Sequence, residues 1–309
     1  MKYYSLLALI LIIFFSACKD DAGETPTPAN PFEIGEVPEI NTSLVTNFSA
    51  TYCAPCLNPG QEVSKDMIFS MGGKGYFIKM HPDGIYASVA VTNEATAFES
   101  NAWNLGVEAE EVPAGIRAWP TWTFNNDLLS LRNKKSYDVI RNYIGGATSQ
   151  FSNAPCKANV TAKYTLDGKN LTLKYKLKAF QNLSGKHRLA FYVVENDQES
   201  NQWGDHGSGN ESKPVVHAPL LIGSLTGVFG DKVIGDIPGL AVGGILEGTE
   251  DFDLNDIDYD KAPRNDGGDY KDVNVAPNLD KLDIYAIIFD ASGTNYRFVN
   301  VSKAERVSL

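Results

Sequence analysis

The sequence predicts two consecutive domains of different class, an α/β domain over residues 43–154 and a mostly antiparallel β domain over residues 155–309. In the first domain, apolar runs of strand length alternate with stretches in which apolar residues recur at helical spacing. In the second, apolar and polar residues alternate with a period of two, and Asp167-Gly168 is typical of a hairpin turn. The architecture expected for the second domain is a β-sandwich of jelly-roll character.

The expected elements of the first domain follow from this periodicity. They are strands at 43–51 and 76–80, helices after Cys53 and over 91–107, a strand pair at 122–124 and 128–131, and a helix capped by Ser136. Gly72-Gly73 and Gly145-Gly146 should end the first and last helices, because glycine disfavours helix interiors. The apolar faces expected for these two helices are Val63, Met67, Ile68 and Met71, and Val139, Ile140, Tyr143 and Ile144.

In the second domain, the expected strands are the two arms of a hairpin at 160–179, then 189–194, 284–289 and a closing strand at 297–301. Residues 251–255 match the start of a calcium loop. However, Asp256 replaces its turn glycine and Ala262 its bidentate glutamate, so we expect a solvated acidic strand edge instead.

The strongest chemical motif is Cys53-Ala54-Pro55-Cys56, where the first strand gives way to a helix. A cysteine at a helix N-terminus has a lowered thiol pKa, because free N–H groups and the helix dipole stabilise the thiolate. The two-residue spacer brings Cys56 within disulfide reach of Cys53. We expect Cys53 to be the exposed attacking sulfur and Cys56 the buried resolving sulfur.

A Cys-x-x-Cys pair also occurs in zinc sites, which need two further ligands. Only Cys18, Cys156 and four scattered histidines remain in this sequence, without a second pair. We therefore expect no metal and no other cofactor. Cys156 should be a free thiol at the domain junction, and His206 and His217, beside a Gly/Ser/Asn-rich stretch, should be ordinary loop or core residues.

Residues 116–124 (IRAWPTWTF) resemble the thioredoxin segment in which a hydrophobic–Arg–x–x–Pro–Thr run enters a central strand. With the cysteine motif, the resemblance implies a thioredoxin-like fold for residues 43–154 and a cis Trp119–Pro120 bond. It also implies that Pro120 packs against the active-site disulfide, where the neighbouring backbone pairs with an extended substrate. The stretch between Cys56 and Pro120 is longer than in minimal thioredoxins, which places a helical insert at about 85–112. An ordinary trans proline is the alternative.

Three residues depart from the thioredoxin pattern. Tyr52 replaces the usual Trp before the first cysteine, and Pro59 lies closer to Cys56 than the family's helix proline. Asn47 stands where thioredoxins bury an Asp that moves protons for the resolving cysteine. Because an amide cannot take up a proton, Asn47 argues against fast reduction.

The N-terminus predicts export and lipidation. Lys2 precedes the apolar run 6–15, which is too short for a spanning helix at ~20 residues but fits a secretory signal peptide over residues 1–17. Ser16-Ala17 before Cys18 is typical of lipoprotein signal cleavage, so Cys18 should carry a lipid anchor to the membrane. Residues 18–42 are proline-rich and should form an extended tether. An ordinary cleaved signal with an incidental cysteine is the alternative.

Lys19-Asp20-Asp21 resembles the export tag of lipoproteins on the outer face of the Gram-negative outer membrane. The resemblance implies surface exposure. The alternative is an anchor on the periplasmic face, with acidic residues that only solvate the tether. The net charge of −11 argues against nucleic acid as a partner, since phosphate binding needs a basic surface.

The segments 216–221 (VHAPLL) and 225–230 (LTGVFG) resemble the signature of the outer-membrane-protein-28-related lipoprotein family. Those envelope lipoproteins join a thioredoxin-like half to a β-sandwich half. Ala218 and Pro219 depart from the family's more polar pattern. The resemblance implies architecture and location more than activity.

Two functional hypotheses stay open. The first is a thiol–disulfide oxidoreductase in which Cys53 attacks a substrate sulfur, Cys56 resolves the mixed disulfide and Pro120 docks a protein substrate. The second is a non-enzymatic surface lipoprotein whose β domain binds an extracellular protein, with a structural disulfide. The cysteine motif favours the first hypothesis, whereas Asn47 and the large β domain favour the second.

Overall fold

The computed structural model describes residues 30–49, 56, 60–81, 92–108, 120–129, 137–196, 198–205, 210–217, 219–256 and 278–308. The expectations for the signal peptide, Cys18, the export tag, Cys53, the Trp119–Pro120 bond and His206 lie outside these residues. In the part of the chain that the structure describes, no helix is long and apolar enough to cross a membrane.

The first half contains strands and helices in alternation. Its elements are β1 (Ser43–Phe48), α1 (Gly60–Met71), β2 (Gly75–Met80), α2 (Thr92–Glu108), β3 (Thr121–Phe124), β4 (Asp127–Leu129) and α3 (Tyr137–Asn153). The order of strands and helices expected from the sequence is confirmed for these elements.

The described part of the second half is built from strands with two short 3-10 helices, Leu254–Asp256 and Leu279–Lys281. The strands are β5 (Ala158–Asp167), β6 (Asn170–Ala179), β7 (His187–Glu195), β8 (Gln198–Asp205), β9 (Asn210–His217), β10 (Leu220–Ser224), β11 (Ile245–Asp253), β12 (Leu282–Asp290), β13 (Arg297–Lys303) and β14 (Glu305–Arg306). The β5–β6 hairpin is confirmed, but its turn residues are Gly168 and Lys169, one position later than expected.

One eight-stranded sheet takes strands from both halves, in the order β13-β12-β7-β10-β2-β1-β3-β4. It is mixed, because β1 and β10 run parallel to β2 while its other pairs are antiparallel. The two halves meet at β2 and β10, where the backbone N–H of Lys79 donates to the carbonyl of Pro219 (2.7 Å). A four-stranded sheet, β11-β6-β5-β14, and a separate β8-β9 pair complete the strands described.

Three apolar clusters form the core. The largest lies between β5 and β6 on one side and β7, β10 and β12 on the other, so the two larger sheets pack face to face there. The second cluster joins α2, through Phe98 and Trp103, to β1, β2 and the opposite face of β7 and β12. The third joins α1 and α3 to the other face of β1, β2 and β3. The eight-stranded sheet is therefore covered on both faces, which explains the almost continuous burial of β7.

The end of α1 was predicted correctly, but the end of α3 was not. Gly72 and Gly73 end α1 with positive φ angles of 57° and 77°, as expected. The expectation that Gly145-Gly146 ends the last helix is wrong, because α3 continues to Asn153. Gly145 faces Ser70 of α1, where an added Cβ would make ordinary van der Waals contact at 3.5 Å from the Ser70 carbonyl. Thr148 and Phe151 extend the packed stripe beyond Ile144, which keeps the chain helical.

Some residues expected on apolar helix faces lie in solvent. In α1, Val63, Met67 and Met71 are buried as expected, but Ile68 is 42% exposed. In α3, Val139 and Tyr143 are 45% and 48% exposed. Helical spacing alone marks an apolar stripe wider than the surface that the sheet covers, so residues at its margin stay outside the core.

The end of the expected tether lies against the body of the protein. Val37 is buried, and Asn159 Nδ2 donates to the carbonyl of Pro38 (3.0 Å). Asn41 Nδ2 donates to the carbonyls of Phe151 and Ala154 (3.1 and 2.8 Å). The described residues from Ile34 onward belong to one compact unit, so the stretch up to residue 42 contacts both halves.

Candidate thiol–disulfide site

Two of the predicted catalytic residues, Cys56 and Pro120, lie among the described residues. Cys56 is helical, 5% exposed and disulfide-bonded. Cys53, the partner that the sequence predicts, lies outside them, so the Cys53–Cys56 pairing stays a prediction. A buried sulfur at this position fits the role expected for the resolving cysteine.

Pro120 is buried and directly precedes β3. β3 runs antiparallel to β1, and Thr121 pairs with Phe48 at the carboxyl end of β1. Pro120 therefore lies at the same end of the sheet at which the chain leaves β1 towards Cys56.

Asn47 connects β1 to the residue after Pro120. Its side chain is 3% exposed, and Nδ2 donates to the carbonyl of Thr121 (3.4 Å). The amide thus fixes the start of β3 to β1, but it provides no group that exchanges a proton with a thiol.

The first turn of α1 is held over this part of the sheet. Trp122, the register partner of Asn47, donates from Nε1 to Ser64 Oγ (3.2 Å). Ser64 Oγ in turn donates to the carbonyl of Gly60 (2.9 Å), the first residue of α1. Cys56 precedes this turn by four residues, and it is the residue of the cysteine motif that lies within the described ranges.

A buried lysine lies beside Asn47, and the sequence reasoning missed it. Lys79 is 6% exposed and is the register partner of Asn47 between β2 and β1. Strand alternation places its side chain on the face of Phe77, which packs with Val45 and Trp122 under α1 and α3. Burial lowers the pKa of Lys79 to about 8. A charged residue within an otherwise apolar strand run, residues 76–80, was the available signal.

Two further polar groups border the site. His81, directly after β2, is fully buried. Thr46 and Thr123 share a side-chain hydrogen bond on the opposite face of β1 and β3. In the part of the chain that the structure describes, no group of three or more His, Cys, Asp or Glu could hold a metal ion.

The weaker candidates from the sequence do not form a described site. β11, which carries residues 251–253, is an edge strand of the four-stranded sheet, as expected. Asp253 Oδ1 accepts hydrogen bonds from the backbone and side chain of Asn255 (2.8 Å each), a local turn interaction. His217 ends β9, and its side chain lies outside what the structure describes.

Cys156 is a buried free thiol, as expected, and it belongs to a cluster at the junction of the halves. Asn300 Nδ2 donates to the carbonyls of Ile40 and Ala158 (2.8 Å each), and its Oδ1 accepts from the backbone N–H of Thr42 (2.9 Å). Cys156 Sγ lies 3.3 Å from the same Ile40 carbonyl. We call these five residues the junction cluster. Burial raises the pKa of the Cys156 thiol to about 11, so the thiol is a weak nucleophile.

Among solved structures, the chain is similar to HBP35 of Porphyromonas gingivalis, with 16% identity and a TM-score of 0.58. The match covers 89% of this chain and 79% of that chain. A domain of the outer membrane lipoprotein Omp28 from Porphyromonas gingivalis matches with 13% identity and a TM-score of 0.28, over 50% of this chain and 92% of that domain. No protein-family model and no curated protein matches the chain. It therefore shares the fold of HBP35 over most of its length.

Proposed function

We propose that the chain is a cell-envelope lipoprotein whose first half, residues 43–154, is a thioredoxin-like domain that exchanges disulfides with protein thiols through Cys53 and Cys56. One observation carries the proposal. Cys56 is buried and disulfide-bonded just before α1, while Pro120 enters β3 at the same end of β1. A disulfide at a helix start beside a proline-led strand is the arrangement that the sequence resemblance implies.

The topology of the first half supports the thioredoxin-like assignment. Its strands lie in the order β2-β1-β3-β4, with β1 parallel to β2 and antiparallel to β3. α1 and α3 cover one face of these strands and α2 covers the other. This order and layering support a thioredoxin-like assignment of the first half.

The expected reaction starts from the disulfide. A substrate thiolate attacks Cys53 Sγ, the Cys53–Cys56 bond breaks, and Cys56 leaves as a thiolate that takes up a proton. A second substrate thiolate then attacks the substrate sulfur of the mixed disulfide and releases Cys53. The substrate dithiol is oxidised to a disulfide, and Cys53 and Cys56 keep both electrons as thiols. The envelope favours this direction, because it is an oxidising compartment.

Trapping of the mixed disulfide tests the proposal. In a Cys56→Ser variant, the Cys53 thiolate should attack protein disulfides and accumulate in mixed disulfides, because Cys56 is the sulfur that resolves them when exchange runs in this reverse direction. A Cys53→Ser variant should trap nothing, and Cys156→Ser, the matched control, should behave as the wild type does. If Cys56→Ser yields no trapped partner and Cys53 alkylates no faster than a free cysteine, the exchange function is wrong.

Anchoring through Cys18 is a separate part of the proposal. Cys18→Ala should leave the protein unlipidated, so that it no longer sediments with membranes. Protease treatment of intact cells should remove the mature wild-type protein from the outer surface. Conversion of Lys19, Asp20 and Asp21 to Ala should protect it. If both forms resist protease equally, the anchor faces the periplasm.

The alternative is a binding lipoprotein with a structural disulfide. It is favoured by the size of the second half, which contributes four of the eight strands of the large sheet. The separate β8-β9 pair also carries an exposed apolar residue in β9, since Val216 is 53% exposed. A slow Cys53 thiol together with retained binding of an extracellular protein would support this alternative over exchange.

A further inference from the structure

Thiol–disulfide exchange at Cys56 requires a proton donor, and Asn47 is not one. When the disulfide opens, Cys56 leaves as a thiolate in a buried environment, where an unneutralised negative charge is costly. The neighbouring group on β1, Asn47, is an amide that stays neutral. Another titratable group is therefore needed close to Cys56.

Lys79 occupies the position that such a group needs. It pairs with Asn47 in the β1–β2 register, and adjacent strands lie roughly 4.8 Å apart. Its side chain leaves the sheet on the face over which the first turn of α1 is fixed by Trp122 and Ser64. A lysine amine on its flexible four-carbon stem can reach from there towards the sulfur at the start of the helix.

We propose that the Lys79 ammonium group donates the proton to the departing Cys56 thiolate, and that the neutral Lys79 amine takes it back in the reverse step. This inference rests on the proposed exchange function. The opening step then balances without an external acid, because the Cys53–Cys56 bond breaks as the substrate–Cys53 bond forms. The proton moves from Lys79 Nζ to Cys56 Sγ.

With a pKa of about 8, Lys79 can be charged or neutral close to neutral pH. Among the described residues, no ion pair joins Lys79 to a carboxylate, and burial is the cause of its lowered pKa. Its neighbours in the sheet are Asn47 and Leu220, and the buried residues of α1 are all uncharged. The other titratable groups on this side are His81, two residues along the chain, and Glu195, which lies beyond Leu220 and accepts from Asn278 N–H.

The test is the pH dependence of disulfide opening in the full mature chain. The oxidised protein is mixed with dithiothreitol and the free thiols are quenched by alkylation at successive times. Lys79→Met should slow opening about 100-fold at pH 6.5, where the wild-type lysine is charged. This difference should disappear as pH rises through about 8, because the wild-type lysine then loses its proton. Lys74→Met, which removes an exposed charge just before β2, should leave the rate unchanged.

Two further measurements do not depend on the single variant. Asn47→Asp combined with Lys79→Met should recover much of the lost rate, because a carboxyl group then stands beside Cys56. In the wild type, the pKa of Lys79, followed by NMR of labelled lysine, should differ between the oxidised and reduced protein. A rate ratio near one at every pH, with the same Lys79 pKa in both forms, would overturn the inference while leaving exchange intact. Failure of Cys53 to trap any partner would instead overturn the proposed function.

Discussion

Cys56 and Cys156 are both buried, yet Cys56 is disulfide-bonded whereas Cys156 is a free thiol, and their surroundings differ. Cys156 lies among main-chain carbonyls, and Asn300 provides hydrogen bonds that hold three segments together. Cys56 lies just before α1, and α1 covers the face of β1 and β2 to which Asn47 and Lys79 belong. Under the proposed exchange function, the comparison teaches that burial alone does not decide cysteine chemistry, and that a neighbouring group able to exchange protons does.

The largest effect that we expect comes from the junction cluster. Asn300→Ala should lower the free energy of unfolding by about 3 kcal/mol, because backbone groups of Ile40, Thr42 and Ala158 lose their partner, in two part-buried hydrogen bonds and one buried one. Urea unfolding of the two proteins measures this difference. Asn182→Ala, at an exposed asparagine between β6 and β7, is the matched control and should change stability by less than about 0.5 kcal/mol. Equal effects of the two variants would show that the cluster is not a structural centre.

The second prediction concerns the reactivity of Cys156. With its pKa raised to about 11 by burial, the Cys156 thiol should form about 100-fold less thiolate than an ordinary thiol near pH 8. Alkylation in the native protein should therefore be slowed at least as much, and it should become fast in urea. Timed alkylation followed by mass spectrometry measures both rates. If native Cys156 reacts as fast as an exposed cysteine, the contrast with the candidate site is lost.

The third prediction concerns an acidic side chain introduced at the candidate site. Asn47→Asp places a carboxyl group next to Lys79, and it should accelerate the disulfide-exchange step about tenfold, which is less than the ~100-fold or more typical of general acid–base catalysis. Single-turnover reduction by dithiothreitol at pH 7 measures this rate. Asn159→Asp, in the junction region, serves as a control for a new buried acid and should not accelerate exchange. An unchanged rate in Asn47→Asp would indicate that proton transfer does not limit the step.

The local features of the fold could be predicted from the sequence, because they depend on neighbouring residues. The Asn125-Asn126 turn between β3 and β4 is an example, since both residues adopt the positive φ angles (52° and 68°) that asparagine tolerates. Gly72-Gly73 and Gly145-Gly146 look equivalent in the sequence. They behave differently because Thr148 is buried and Phe151 packs against the third apolar cluster, and these contacts with residues distant in the chain keep α3 helical beyond the second pair.

Long-range polar contacts could not be predicted. Asn300 bonds to residues 40–42, some 258 to 260 positions away, and no local pattern indicates such a partner. The sheet that both halves share includes the pairing of β2 with β10, where the backbone N–H of Lys79 donates to the carbonyl of Pro219. For the candidate site, the cysteine motif and Pro120 were found from sequence, whereas Lys79 became meaningful only when the strand register placed it beside Asn47.

A buried histidine in the second half is a further titratable group to compare with Lys79 and Cys156. His187 in β7 is 4% exposed, and its Nδ1 has no hydrogen-bond partner among the described residues. Burial lowers the pKa of His187, against the opposing effect of Asp290, its register partner on β12. Unlike Lys79, this group lies in β7, which is three strands away from β1 in the sheet order, so its protonation should affect stability and not exchange.

The smallest effect that we expect is the pH dependence of stability due to His187. Because its folded-state pKa is lowered, the neutral ring stabilises the protein fully above the unfolded pKa of about 6.5. That stability is lost as pH falls through the lower, folded-state pKa. His187→Gln cannot titrate, so it should lose less stability than the wild type between pH 7.5 and pH 5, even if it is less stable at pH 7.5. Urea unfolding at several pH values measures the two slopes, and the exchange rate at pH 7 should be equal in both proteins. Parallel slopes would mean that the folded protein accommodates the charged ring at no cost, and a slower exchange rate would mean that the two buried regions are coupled.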